Sequence, residues 1–246
     1  MKRGISALSA VCAVILAISC DKEEQPKTID GHEYVDLGLP SGLLWATCNL
    51  GASKPEESGD YYGWGMIEPY KTADNADWST YFSKIGSNGT SKDDCGTDKD
   101  PIKDYVYGGS KYSDALDAGQ ADGISGTQWD AVRQNWKGEW RMPTKAELIE
   151  LLYTSDCQRA WTVLNGVKGV RITSNKNGNS IFLPAAGSHD GPSVIDGECL
   201  YMWPSTPYND YPYRGHLLNY DSIGQVWSFA DRYCGLSLRP VIMPRK

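Results

Sequence analysis

The spacing of apolar positions changes along this chain, and each spacing predicts a different kind of element. Short apolar runs on either side of a Pro-Ser-Gly turn predict two strands, at 32–37 and 43–49. Residues 59–65, GDYYGWG, add an aromatic segment bounded by glycines. The segment 66–123 is rich in Asp, Gly and Ser and has too few apolar residues for a core, which predicts a loop-rich insertion rather than a second domain.

Helical spacing begins after this insertion. Trp129, Val132 and Trp136 recur at intervals of three and four residues, which predicts a short helix with Thr127 as its N-cap.

A second helix is predicted immediately downstream. Thr144 is followed three residues later by Glu147, which is the capping-box pattern of a helix N-terminus. Leu148, Leu151 and Leu152 then form one apolar face of that helix.

From residue 160 onward the pattern predicts strands. GVRITS and SIFLPAAG flank an Asn-Gly loop, which is typical of a β-hairpin. CLYMWPS, HLLNYD, QVWSFAD and CGLSLRPVIM follow at intervals of about ten residues. Strands, two helices and then more strands predict an α+β fold, with the helices packed on a mostly antiparallel, curved sheet.

The first residues predict a targeting segment rather than part of the folded domain. Lys2 and Arg3 precede an apolar stretch that is too short to span a bilayer, so we expect 1–19 to be a secretory signal peptide. LAISC resembles a lipobox, which predicts a diacylglycerol and palmitate anchor on Cys20. The charged residues after it predict a flexible tether over 20–31. Lys-Glu-Glu behind the cysteine resembles an export signal, so we expect an outer-membrane lipoprotein that faces the cell exterior.

Charge excludes some partners. The chain has 24 Lys and Arg against 31 Asp and Glu. Removal of 1–19 takes away two basic residues and no acidic one, so 227 residues with a formal charge of −9 remain. We therefore expect no nucleic-acid partner, and contact with the membrane through the lipid alone.

Cysteine and histidine usage gives no metal site. Five cysteines remain after the signal peptide and Cys20, and their pairing cannot be chosen from the sequence: Cys48, Cys95, Cys157, Cys199 and Cys234. No two of them form a CxxC motif, and the histidines are far apart in sequence. No metal and no cofactor are predicted.

Five motifs in order carry a resemblance to a known family. They are YVDLGLPSGLLWATCNLGA, WKGEWRMPTKAELIELL, NGNSIFLPAAG, WPSTP and RYCGLSLRPV. Together they resemble the Fibrobacter succinogenes major paralogous domain (FISUMP) family of bacterial surface lipoproteins, over a single domain at 32–242. The resemblance implies a C-type lectin-like or formylglycine-generating-enzyme-like fold, whose C-terminal half displays a variable loop surface. It implies no common activity.

Sequence motifs for catalysis are absent. The chain has no HExxH motif, phosphate-binding loop, nucleophile elbow or dinucleotide glycine fingerprint. His216 is near Asp210, Asp221 and Ser222 in sequence, but we favour the interpretation that it is a loop histidine with a polar or hydrogen-bonding role. No catalytic residue is predicted. A pair of carboxylates from the C-terminal part would be needed for the alternative of a glycoside hydrolase, and the available ones are Asp196, Glu198, Asp210, Asp221 and Asp231.

The segment WPSTPYNDYPYRG at 203–215 predicts a binding surface. Its prolines exclude a long helix, and Tyr with Asn, Asp, Ser and Arg is typical of combining surfaces. The predicted ligand contacts are Tyr208, Asn209, Asp210, Tyr211, Tyr213, Arg214, Asn219, Asp221, Trp227, Asp231, Arg232 and Tyr233. Trp203, Leu217 and Phe229 are expected in the core. Trp136, Trp140 and Arg141 are expected to hold the fold.

The predicted function is a surface-anchored recognition module for a glycan or a protein. Two alternatives stay open at this point, a carboxylate-dependent glycoside hydrolase and a structural subunit of a surface complex. The tyrosines would then form a catalytic rim or merely fill a small core.

Overall fold

A computed structural model of the protein describes residues 27–70, 123–189, 194–208, 214–232 and 234–244. Over these ranges the chain forms mostly antiparallel strands in curled sheets with two short helices, which confirms the α+β prediction. No helix in these ranges is long and apolar enough to cross a membrane. Cys20, most of the predicted insertion and five of the predicted ligand contacts lie outside the described residues.

The first sheet joins the two ends of the described chain. Its strands follow the order β1 (Thr28–Ile29), β2 (His32–Asp36), β3 (Leu44–Ala46) and β12 (Val241–Ile242). The predicted strands at 32–37 and 43–49 correspond to β2 and β3. β1 lies within the range predicted as a tether, 20–31, and pairs antiparallel with the start of β2.

Helix α1 (Ala131–Trp136) is shorter than its apolar spacing suggested, and its predicted cap was wrong. Asp130 is the N-cap, and its carboxylate accepts hydrogen bonds from four backbone N–H groups, two of them in the helix's first turn. Thr127 instead donates its hydroxyl to the carbonyl of Ile124. A carboxylate accepts more bonds than one hydroxyl can, so Asp130 satisfies the helix start better.

Helix α2 (Lys145–Tyr153) confirms the predicted capping box. The Thr144 hydroxyl accepts from the Glu147 backbone N–H, and the Glu147 carboxylate accepts from the Thr144 N–H. The predicted apolar face is buried and consists of Leu148, Leu151 and Leu152.

The second sheet contains the predicted hairpin and one strand that the sequence pattern did not resolve. β5 (Val167–Ser174) pairs antiparallel with β6 (Ser180–Pro184), as the Asn-Gly loop predicted. β4 (Cys157–Leu164) pairs with β5 along its whole length and begins before the predicted onset at 160.

The third sheet positions the C-terminal surface. It has the order β11 (Gln225–Asp231), β10 (Arg214–Tyr220) and β9 (Leu200–Met202). A short pair, β7 (Ser188–His189) and β8 (Val194–Ile195), lies before it in the chain.

Buried indoles anchor the core. Trp45 belongs to one of the two large apolar clusters, and Trp140 and Trp203 to the other. Burial of Trp203 confirms its core prediction. Trp140 donates its indole N–H to the Ile29 carbonyl, and Arg141 forms an ion pair with Glu147 of the capping box.

Trp136 has the predicted structural role as well. Its ring stacks on His32 with centroids 3.7 Å apart and meets Trp140 edge-on at 5.1 Å. These contacts attach α1 to the first sheet.

Arg239 is a fully buried cation in the centre of the fold. Its guanidinium donates to the Asn49 Oδ1 at 2.9 Å and to the Ala46, Thr47 and Phe182 carbonyls at 2.6–2.9 Å. Burial lowers its pKa to about 10, so it remains protonated at neutral pH. This side chain ties the first sheet to the second.

Candidate functional site

The β10–β11 hairpin presents two faces of different character. Its register pairs Arg214 with Asp231, His216 with Phe229 and Leu218 with Trp227. Because side chains alternate along a strand, these six side chains share one face of the hairpin, and their sequence neighbours point to the other.

Aromatic rings form a continuous contact on the first face. The Tyr208 ring meets His216 edge-on with centroids 5.1 Å apart, and it meets Phe229 at 4.7 Å. Phe229 remains 37 % exposed, so its prediction as a core residue was wrong. It lies on the edge strand β11, where no further described strand covers it.

A charged pair borders these rings at one end. The Arg214 Nε donates to the Asp231 carboxylate at 2.9 Å, and the Arg214 guanidinium carbon lies 4.5 Å from the centre of the Phe229 ring. Both charged side chains are about one-third exposed. The pair holds the guanidinium over the aromatic face.

A lysine from another part of the chain closes the other end. Lys145 is the first residue of α2, and its backbone N–H donates to the Thr206 hydroxyl at 2.9 Å. Its ammonium lies 3.4 Å from His216 Nε2 and 5.3 Å from the centre of the Trp227 ring.

The Lys145 ammonium differs from Arg214 in its electrostatic surroundings. No carboxylate of the described residues lies within ion-pair distance of it. Burial lowers the pKa of Lys145, and no neighbouring charge offsets that effect. Next to it, the Trp227 indole N–H is buried without an acceptor among the described residues. Two donors on this face therefore lack oxygen acceptors from the described chain.

We refer to these seven side chains as the aromatic strip. Its members are Lys145, Tyr208, Arg214, His216, Trp227, Phe229 and Asp231. The strip continues inward to the first core cluster, against which Trp227 packs.

The opposite face of the hairpin lies over the second core cluster. Gly215 makes this possible, because a Cβ there would lie only 3.0 Å from ring atoms of Trp64 and Trp203. Leu217 is half-buried against the same cluster, in line with its core prediction. A cavity of about 200 Å³ lies on this side, with Tyr201, Leu217 and Cys234 in its wall.

The predicted ligand contacts separate into two groups. Tyr208, Arg214, Trp227 and Asp231 come together in the aromatic strip. The others that the structure describes lie elsewhere, and they are Asn219, Asp221 and Arg232.

Three predicted contacts thus have other surroundings. Asn219 points to the face opposite the aromatic strip. Asp221 accepts the backbone N–H groups of Ile223 and Gly224 and so forms the hairpin turn. The Arg232 side chain is buried, so the prediction that it touches a ligand was wrong. Asn209, Asp210, Tyr211, Tyr213 and Tyr233 lie outside the described residues.

Three members of the aromatic strip were not predicted as ligand contacts, and they are Lys145, His216 and Phe229. Lys145 is separated from His216 by 71 positions, so only the tertiary fold brings it there. Phe229 could have been found from strand alternation, because it lies two residues from both Trp227 and Asp231.

The carboxylates considered for glycoside hydrolysis each have a structural partner where the structure describes them. Asp196 accepts the Tyr201 hydroxyl at 3.2 Å, Glu198 pairs with Lys168, and Asp231 pairs with Arg214. Asp221 forms the hairpin turn. Their partners give each of these groups a structural role.

The described thiols and metal-ligating side chains suggest no reaction. Burial raises the pKa of Cys48, Cys157 and Cys199, whereas a nucleophilic cysteine needs a lowered pKa. Within the described ranges, no three His, Cys, Asp or Glu side chains are arranged to hold a metal ion.

Comparisons of the chain with known protein families, with curated proteins and with solved structures find no match. The geometry of the aromatic strip is therefore the basis for a functional proposal.

Proposed function

We propose that the protein is a recognition module that binds a glycan through the aromatic strip. The observation that carries the proposal is the Tyr208–Phe229 ring pair, which is part-exposed and has cationic side chains at both ends. Sugar rings present C–H groups that pack on aromatic faces and hydroxyls that bond to charged groups. The strip offers both kinds of contact within one hairpin face.

The low mobility of these side chains also favours a role in ligand binding. Tyr, Phe and Trp have few rotatable bonds, so they provide contact area with little loss of conformational entropy. Arg214 is held by Asp231, and Lys145 is held at a helix start whose N–H groups are capped. A surface whose side chains are already ordered loses less entropy on binding.

The proposal also includes a cellular setting. A lipid on Cys20 would anchor the domain at the outer membrane, and the residues before β1 would let it reach the exterior. Membership of the FISUMP family and a C-type lectin-like arrangement of the curled sheets are part of this proposal. The α+β fold with two short helices is compatible with both.

The test is binding of the purified chain to a glycan array and to mucin, with Tyr208→Ala/Phe229→Ala as the variant. We expect the variant to lose at least tenfold in affinity, because two central ring contacts are removed. Tyr153→Ala is the matched control, since Tyr153 is an aromatic side chain that is 52 % exposed on α2.

Two outcomes would contradict the proposal. Equal binding by the wild-type chain and the double variant would exclude the aromatic strip as the combining surface. Binding that persists after enzymatic removal of the mucin glycans would identify a protein ligand instead. Circular dichroism of each variant shows whether the fold is retained.

A further inference from the structure

We infer that the aromatic strip selects a sugar that carries one carboxylate, and that Lys145 is the residue that binds this group. The inference rests on the proposed function and narrows it from glycans in general to acidic ones. It depends on a different observation, which is the surroundings of the Lys145 ammonium.

The Lys145 ammonium has donors to spare. An ammonium has three N–H donors, and the contact with His216 Nε2 uses one of them. With Lys145 protonated, His216 Nε2 must accept, which places the ring proton of a neutral His216 on Nδ1. The ammonium lies over the face of the Trp227 ring, which provides no oxygen acceptor.

The charge at this position lacks compensation from the described chain. Partial burial removes water from the ammonium and lowers its pKa, while no described carboxylate lies within ion-pair distance. A desolvated charge gains most from a partner of opposite charge. The Arg214 guanidinium at the other end already has its carboxylate, so the net charge of the strip is positive.

A carboxylate suits the free donors of this ammonium. It has two oxygens, and each can accept from an N–H group of Lys145 that the contact with His216 leaves free. A neutral hydroxyl would accept a weaker bond. The Trp227 indole N–H is buried beneath the surface of the strip and takes no part in this contact.

The negative net charge of the chain argues for a ligand with one negative charge rather than a polyanion. The sequence has 31 acidic against 24 basic residues, so a polyanion would be repelled beyond the strip. A uronic or sialic acid at the end of a sugar chain carries one carboxylate, which matches the one ammonium of the strip, since no carboxylate of the described residues lies within ion-pair distance of it. A sulfate ester has the same charge and is the other source of this chemistry.

The experiment compares lactose, 3′-sialyllactose and 3′-sulfolactose as ligands of the wild-type chain, by isothermal titration calorimetry. These three differ by one acidic substituent. We expect 3′-sialyllactose to bind at least tenfold more tightly than lactose, and the difference to shrink as NaCl rises from 50 to 500 mM. Tighter binding of 3′-sulfolactose than of 3′-sialyllactose would assign a sulfate ester instead of a carboxylate.

The variant Lys145→Gln tests the assignment to one residue. It should bind 3′-sialyllactose and lactose with similar affinity. Lys168→Gln is the matched control, because it removes the same charge from an exposed lysine on β5 and should retain the preference.

The outcomes separate this inference from the proposed function. Equal affinities for the three sugars, or a preference that survives Lys145→Gln, would overturn the inference while the strip could still bind glycans. No binding of any of the three sugars would overturn it as well. The proposed function fails separately, if Tyr208→Ala/Phe229→Ala leaves binding on the glycan array unchanged.

Discussion

Arg239 and Lys145 are two cations that form no ion pair with a carboxylate of the described chain, and their surroundings differ. Arg239 is fully buried, and its guanidinium donates to four oxygens of the chain. Lys145 is half-buried, and its ammonium has one nitrogen partner and an aromatic face. The first arrangement satisfies the cation internally, while the second leaves donors for a molecule from outside.

The comparison separates a structural charge from a binding charge. Burial of a cation is costly unless its donors are bonded, and the Arg239 guanidinium is held by oxygens from two segments of the chain, 46–49 and Phe182. Lys145 does not meet this condition within the described residues, and it lies at the edge of a part-exposed aromatic surface. A ligand that provides oxygens would complete its surroundings.

Removal of the structural cation should have the largest effect. Arg239→Met leaves the Asn49 side-chain oxygen and three carbonyls buried without their donors. We expect the free energy of unfolding to fall by about 3–5 kcal/mol. Urea denaturation followed by tryptophan fluorescence measures it, and a loss below about 1 kcal/mol would contradict the structural role.

Disruption of the capping box that positions Lys145 should cause the next largest loss of stability. Burial tends to raise the pKa of Glu147, but bonds and charge from Arg141 and bonds from Thr144 outweigh it, so the pKa lies below 4.5. Glu147→Gln should lower the free energy of unfolding by about 1–3 kcal/mol at pH 7.

The same substitution should have a smaller effect in acid. A carboxylate with a lowered pKa stabilises the fold above the pKa of the unfolded chain, and this stabilisation is lost as pH falls through the folded pKa. The difference between wild type and Glu147→Gln should therefore be full above about pH 5 and decrease below pH 4.5. A constant difference between pH 7 and pH 3 would contradict the role of the ionised carboxylate.

A substitution in the hairpin turn should have a smaller effect on stability and no effect on glycan binding. Asp221→Ala removes the acceptor of two backbone N–H groups, so we expect a loss of about 1 kcal/mol in urea denaturation. Affinity for the best glycan of the array should stay within twofold of wild type. A large loss of affinity with normal stability would restore Asp221 as a ligand contact.

Removal of the Lys145 charge should have the smallest effect on stability. Lys145→Met removes a partly desolvated charge and keeps the aliphatic contact with Trp227. We expect the free energy of unfolding to change by less than about 1 kcal/mol, in either direction. A loss as large as that of Arg239→Met would make Lys145 a structural residue and remove the contrast between the two cations.

The sequence was informative where local rules decide the structure. The capping box of Thr144 and Glu147, the Asn-Gly hairpin of β5 and β6, and the burial of Trp203 could all be predicted from near neighbours in sequence. Asp130 replaced Thr127 as the cap of α1 because its carboxylate also bonds a backbone N–H outside the helix, at Met142, which no local pattern reveals.

The aromatic strip was only partly predictable. Composition identified Tyr208, Arg214, Trp227 and Asp231, because tyrosine and charge are concentrated in one segment. Lys145 reaches them through packing of α2 against the 206–208 segment, and Arg232 turns inward. Both outcomes depend on tertiary contacts.

The most direct test of the strip as a combining surface is NMR of the tryptophan indoles. The chain has nine tryptophans, so its ¹⁵N-labelled form gives a small set of indole N–H signals, and Trp227→Phe identifies one of them. On titration with 3′-sialyllactose, we predict that the Trp227 signal shifts while those of the buried Trp140 and Trp203 stay in place. A titration that moves other indole signals and leaves Trp227 unchanged would contradict the account.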